Sequence, residues 1–325
     1  MTADLPQVSW RQAPLFFHRA PPLNPRIDMK TRSSFLVLAC SLAIACSASA
    51  QALTGTLKKI KDTGSITLGV RESSIPMAYL DDKQQPVGYA VDICKKIVEA
   101  IKVQLAIPNL KVEYQPANSS NRIALVTNGT MDLECASTSN LVERQKLVAF
   151  SVTHFVSNIR AIVRADSPYT SLKSLNGKPI ALITGMTAIP MLQKFATENQ
   201  VNFERVYGKD VAESFLLFQT KRAEAFVFDD VLLASMAANT GDAKAFRILD
   251  DTLRSEPNAL MFRKDDPAFK KVVDDTIVGL IKSGEIEKIY AKWFLQPIPP
   301  KNINLNFPIS KELKEAFAKP NDSGI

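Results

Sequence analysis

Along most of the chain, apolar residues recur in short runs whose period switches between two and about 3.6, so strands and helices are predicted to alternate. Residues 53–61 carry helical spacing that stops at Thr63-Gly64, and Ser65–Val70 alternates as a strand. A helix is predicted over 91–103, apolar at Ile93, Ile97, Val98 and Ile101, and a strand over 112–114. Arg122 opens a short helix that Asn128-Gly129 ends as a C-terminal cap would. A strand at 131–134 then delivers Ser137, Thr138 and Ser139 into a loop, and 155–163 is a long apolar strand leaving this first unit. A second unit repeats the alternation: strands at 179–183, 202–206, 223–228 and 246–249, with a helix running from the 184–187 loop through Phe195, a helix at 212–219 and another opening at Asp229-Asp230. A strand at 260–264 returns to the first unit, residues 267–294 are helical with a break at Ser283-Gly284, and 295–325 wrap the surface without predicted elements. Alternation of this kind implies α/β architecture with mostly parallel sheets covered by helices.

In such sheets ligands sit beyond the carboxyl ends of strands. Arg71, Ser137 to Ser139, Thr184 to Thr187 and Asp229 all follow predicted strands directly. The richest stretch is 121–151, which brings Arg122, Arg144 and three hydroxyl residues close together in sequence. Guanidinium forks and hydroxyls suit a carboxylate, because Arg can hold both of its oxygens. No nucleophile–base pair stands out, so ligand binding is the expected chemistry; Glu72 and Glu143 are the acids an enzyme on this scaffold would have to use. Plainer readings stand beside these. Arg71 could be an exposed loop charge, Ser137 and Ser139 could be caps, and either Asp229 or Asp230 could cap the helix that follows. Arg144 could pair with Glu143 or Glu134, and Tyr79, Tyr89 and Phe155 could be core residues.

Composition narrows the classes further. The 325 residues hold 40 Lys and Arg against 33 Asp and Glu. Residues 1–50 account for five of the bases and two of the acids, leaving 35 against 31, a charge of +4 without a basic cluster. Nucleic-acid binding, which needs a concentrated basic face, is not expected. Lys30 and Arg32, the apolar run 35–46 and Ala48-Ser49-Ala50 form a cleavable export signal over 29–50, with 1–28 as a Pro-rich upstream extension. An uncleaved helical anchor, or acylation at Cys46, are the alternatives. Of the four cysteines, Cys94 and Cys135 remain after cleavage; an oxidising compartment allows a disulfide, but both fall in buried-type elements and are expected unpaired. Too few ligands are available for a metal site, and no cofactor is expected.

The segments G-V-R-E-S-S-I-P (69–76), N-R-I-A-L-V-T-N-G-T (121–130), E-C-A-S-T-S-N-L-V-E-R-Q-K (134–146), A-F-V-F-D-D (225–230) and R-K-D-D-P-A-F-K-K (263–271) together resemble the periplasmic solute-binding proteins of polar amino-acid ABC transporters, bacterial extracellular solute-binding protein family 3. The resemblance runs from about 52 to 320. It implies the type II periplasmic binding protein fold: two α/β lobes joined by two hinge strands, with lobe 1 formed by 51–156 and 257–325 and lobe 2 by 157–256. It further implies a monomer in the periplasm that closes on an acidic amino acid, L-glutamate or L-aspartate, and delivers it to an ABC permease in the inner membrane. By position, Arg144 resembles the group that grips the α-carboxylate, helped by Ser139 and Thr187. Asp229 is similar to the α-ammonium partner, with Ser137 near it, and Arg71, Ser119 and Arg122 match the residues that hold the side-chain carboxylate. Two positions depart from the acidic branch of the family: Val211 stands where a histidine is expected, and Met186 where a threonine is. An exported dehydratase on the same scaffold is the alternative reading.

Overall fold

The structure, a computed structural model, describes residues 53–325; the expected extension at 1–28 and export signal at 29–50 lie outside the described residues. The chain opens with α1 (Gly55–Thr63) and β1 (Ser65–Val70), followed by a small antiparallel sheet of β2 (Ser73–Ser74), β3 (Ala78–Leu80) and β4 (Pro86–Val87). Then come α2 (Tyr89–Leu105), β5 (Lys111–Pro116), α3 (Arg122–Thr127), β6 (Leu133–Ser139), α4 (Val142–Gln145) and β7 (Val148–Phe150). β8 (Phe155–Arg164) leads to β9 (Pro179–Ile183), α5 (Ala188–Asn199), β10 (Glu204–Gly208), α6 (Val211–Gln219), β11 (Ala225–Asp229), α7 (Asp230–Asn239) and β12 (Phe246–Ile248). β13 (Arg254–Arg263), α8 (Pro267–Lys282), α9 (Glu285–Phe294) and α10 (Lys311–Ala318) complete the chain.

The main sheet runs β10-β9-β11-β8-β13-β6-β1-β5. β1 pairs in parallel with β5 and β6, and β9 with β10 and β11, so each end is a parallel sheet. Between them lie β8 and β13, antiparallel to each other, each also antiparallel to its other neighbour, β11 and β6 respectively. Two parallel α/β halves therefore share two connecting strands, and the strand ends of both halves can supply one site.

The elements form for local reasons. In α2, buried Ile93, Ile97, Val98, Ile101 and Leu105 recur at the helical period and turn one stripe to the sheet. Each such side chain is worth about 1.5–3 kcal/mol when fully buried, and Ile97→Ala would cost roughly 2–5 kcal/mol. The break between α8 and α9 falls at Ser283-Gly284, where Gly284 takes φ +72°. Tyr89, Phe155, Tyr290 and Phe294 form one aromatic cluster, the closest pair, Tyr290 and Phe294, having ring centroids 4.2 Å apart. Tyr79, Tyr89 and Phe155 are all buried core residues.

Three expectations are corrected. Ser137, Thr138 and Ser139 belong to β6 itself, which runs five residues past the expected end and pairs with β13 through Thr138 and Ser139. Cys94 and Cys135 are joined in a disulfide, their Cα atoms 6.1 Å apart, which ties α2 to β6. Both thiols are indeed buried, but α2 lies directly over the strand and places them face to face. The C-terminal stretch is not free of elements: Ser310 caps α10, and Leu313 and Phe317 bury one face of it. The last residues are stitched to the α4 region. Asn140 and Gln145 donate side-chain amides to the Asp322 carbonyl, each at 2.9 Å, and the Val142 and Ile325 backbone groups bond to Ile325 and Asn140 respectively.

Candidate functional site

A cavity of about 210 Å³ opens where the carboxyl ends of strands from both halves meet. From the first half it is lined by Arg71 and Glu72 after β1, by Ser119 and Arg122 at the start of α3, and by Ser137 on β6. From the second half Met186, Lys209, Asp210, Val211 and Phe228 complete it. Arg122 is only 1% exposed. A guanidinium at the first position of a helix is disfavoured by the helix dipole, yet α3 presents one there and buries it. Its Nε has no hydrogen-bond partner, and the nearest acceptor to Nη1 is the Met186 thioether at 3.9 Å. Burial, with added repulsion from Arg71, holds its pKa well below the ordinary value, so an incoming anion would relieve a stressed cation.

Arg71 is better compensated. Its Nη2 contacts Glu134 at 2.6 Å, and Thr138 in turn donates to the same carboxylate at 2.7 Å. Nη1 of Arg71 is left buried without a partner. Burial lowers the Arg71 pKa while Glu134 raises it. Glu134, expected only as a possible partner for Arg144, is buried and pairs instead with Arg71 across β1 and β6.

The remaining four expected residues form a second group beside this cavity. Arg144, on α4, donates from Nη1 to the Ser139 carbonyl at 2.9 Å and from Nη2 toward the Gly185 carbonyl at 3.5 Å. Ser139 and Thr187 both donate their hydroxyls to Oε2 of Glu256, the latter at 2.9 Å, while Arg254 donates from Nε to Oε1 at 2.9 Å. Glu256 is fully buried on β13 and was not foreseen; apart from Arg254 two residues before it, its partners lie 69 and 117 residues away. Asp229, at the end of β11, accepts a hydrogen bond from Ser157 at 2.6 Å through Oδ1, while Oδ2 is buried and unpartnered. It stands at the N-cap position of α7 but its side chain makes no capping bond; Asp230, the first helical residue, accepts from the Val231 amide. Burial, with Glu256 nearby, pushes the Asp229 carboxyl up to about 8.

All eight expected residues are therefore brought to one region, Arg71, Ser119, Arg122 and Ser137 on the cavity wall and Ser139, Arg144, Thr187 and Asp229 behind it. The two halves touch here. Gly185, at φ +81°, passes so close to Ser119 that a Cβ would lie 2.9 Å from its carbonyl oxygen. Met186 and Val211, the two positions expected to depart from the acidic branch, both line the cavity. Of the two acids considered for catalysis, Glu72 lines the cavity and Glu143 is exposed and paired with Lys146. Among the described residues there is no cluster of His, Cys, Asp and Glu able to hold a metal, and no helix is long and apolar enough to cross a membrane.

Comparison with known proteins bears on the same region. Residues 66–296 match the model of the bacterial extracellular solute-binding proteins, family 3. The chain is similar to the glutamate/aspartate import solute-binding protein of Escherichia coli, 42% identical over 297 residues, which cover 91% of this chain and 98% of that protein. It is likewise similar to the L-glutamate/L-aspartate-binding protein of Pseudomonas aeruginosa, 44% identical over 274 residues, 84% of this chain and 91% of the other. Among solved structures, the solute receptor for L-cysteine of Neisseria gonorrhoeae shares the fold at a TM-score of 0.67 with 23% identity, covering 79% of this chain and all of that one. The two-halved α/β architecture is that of the type II periplasmic binding proteins, and the chain belongs to the bacterial extracellular solute-binding proteins, family 3.

Proposed function

We propose that the chain is the substrate-binding component of an ABC importer for acidic amino acids and traps L-glutamate or L-aspartate between two closing lobes, residues 51–156 with 257–325 and residues 157–256. The observation that carries this reading is Arg122, a buried guanidinium without an ion-pair partner among the described residues, on a cavity it shares with Arg71. A buried charge of this kind is costly alone and becomes favourable when a carboxylate meets it. Arg71, Arg122, Ser119 and Ser137 take the distal carboxylate. Arg144, with Ser139 and Thr187, takes the α-carboxylate, and Asp229 takes the α-ammonium through its free oxygen. The names of the relatives, glutamate/aspartate-binding proteins, support the same ligand class. The protein works in the periplasm as a monomer and delivers its ligand to an inner-membrane permease.

Free energy for closure comes from groups on both halves that a doubly anionic zwitterion joins, so ligand shifts an open–closed equilibrium. Isothermal titration of the protein lacking residues 1–50 with glutamate, aspartate, glutamine and glutarate tests the reading. Saturable binding of glutamate or aspartate, with glutamine and glutarate at least tenfold weaker and all ligand recovered unchanged, is expected. Equal binding of glutamine would refute the distal site, and conversion of the ligand would refute a pure binding role.

A further inference from the structure

The cavity's lining carries a charge balance that the family match does not explain. Its ionisable side chains are Arg71, Arg122 and Lys209 against Glu72 and Asp210. Counted over the lining alone, Lys209 makes three cations against two anions; without it the lining would hold two of each. A neutral lining has no net attraction for a side-chain carboxylate, so Lys209 tips the balance.

Its placement is specific. The cavity is bounded by Arg71, Ser119, Arg122 and Ser137, and not by Arg144 or Asp229, so it is the end where the distal carboxylate would lie. Lys209 enters from the opposite half, in the connection between β10 and α6, where the other lining groups are the apolar Met186, Val211 and Phe228 together with Asp210. The backbone there is fixed reciprocally: the Lys209 amide donates to Glu213 Oε2 and the Glu213 amide to Asp210 Oδ1, each at 2.9 Å. Both neighbouring carboxylates thus serve the start of α6, and the Lys209 ammonium forms no ion pair among the described residues. A pinned backbone with an uncommitted, exposed ammonium at a cavity mouth can swing inward at little cost, since no existing pair must break.

We infer that Lys209 is a specificity-determining residue: it reaches across the mouth from the second half to bond the ligand's side-chain carboxylate, so that an acidic side chain bridges both halves and an amide does not. This rests on the proposed binding of an acidic amino acid. The apolar surroundings given by Met186, Val211 and Phe228 exclude water once the ligand is in place and strengthen that bond.

Titration of Lys209→Met and Lys209→Arg with glutamate and aspartate at low and high salt tests it. Lys209→Met should weaken glutamate on the order of tenfold, the effect of losing one charge-assisted hydrogen bond. Its log Kd should also depend less steeply on log salt concentration. Lys209→Arg should stay within threefold of the parent, and melting of the unliganded variants should be unchanged. Lys209→Met within twofold of the parent at low salt, or Lys209→Arg as weak as Lys209→Met, would overturn the inference while leaving the ligand class standing. A parent that binds neither glutamate nor aspartate would remove both readings.

Discussion

Replacing Arg122 by Met separates the cost of the site from its use. The side chain is 1% exposed, and among the described residues its Nε has no partner and its side chain bonds only a thioether, at 3.9 Å. An uncompensated buried charge costs several kcal/mol. That cost falls on the closed, unliganded state, because an open cleft lets water reach the guanidinium. If roughly 3 kcal/mol is relieved by methionine, of similar length and uncharged, the unliganded equilibrium moves toward closure on the order of 100-fold. The same substitution deletes the cation that the distal carboxylate meets, and breaking a buried pair costs about 3–5 kcal/mol, or roughly 10²–10⁴ in affinity. Small-angle X-ray scattering with and without glutamate, alongside calorimetric titration, reads both effects. Unliganded Arg122→Met should be measurably more compact than the unliganded parent, while its glutamate affinity collapses. A variant that stays as extended as the unliganded parent and binds glutamate within threefold would refute the reasoning on both counts.

Asp229 sets a pH dependence. Its folded pKa of about 8 lies above the ordinary 3.8, so the closed unliganded protein is favoured by protonation; this contribution is complete below about pH 4 and is lost as pH rises through 8. An α-ammonium reverses the preference. Titrations at pH 6.5 in buffers of different ionisation enthalpy should therefore report release of close to one proton per glutamate, and Asp229→Asn should report none and bind about 10²-fold more weakly or worse; no proton release by the parent would exclude a neutral Asp229. Buried His154 behaves oppositely. Burial depresses it from 6.5 to about 4, so its contribution is full above pH 6.5 and disappears as pH falls to 4, worth up to roughly 3 kcal/mol. Denaturant melts across that range should show the loss, and His154→Phe should flatten it; an equal slope in the variant would point to other groups. Removing the Cys94–Cys135 bridge as the double Ala variant opens a loop spanning 41 residues in sequence. On loop entropy alone that costs about 4 kcal/mol, and Tm should drop by roughly 10 °C in scanning calorimetry; a drop below 3 °C would show that the bridge constrains little.

Much of the site was legible because its arginines break local rules. Arg122 sits where a helix prefers an acid, and a residue that defies its local preference is a good functional candidate. The strand-end positions of Arg71 and Asp229 followed from the switch in hydrophobic period, which placed β1 and β11 well. What escaped was long-range. β6 reads L-E-C-A-S-T-S, too polar and too small to alternate visibly, and it is a strand because β13 pairs along it and because Thr138 and Ser139 spend their hydroxyls on buried Glu134 and Glu256. Glu256 itself has one local partner, Arg254, and takes its two hydroxyl donors from distant parts of the chain, which no local window contains. The disulfide was misjudged because spacing says nothing of how α2 crosses β6. α10 was missed although Ser310, Leu313 and Phe317 carry a cap and a helical repeat, since the Pro and Asn residues before it dominate the composition.

The knitting of Asp322 and Ile325 to Asn140, Val142 and Gln145 has a practical consequence. These contacts flank Arg144 on both sides, so the carboxyl terminus acts as a strut for the guanidinium proposed to grip the α-carboxylate. A purification handle or fluorescent fusion appended behind Ile325 would tug on that strut, and a sensor engineered from this protein would do better with its reporter inserted at an exposed turn such as Gly241, whose added bulk meets open space.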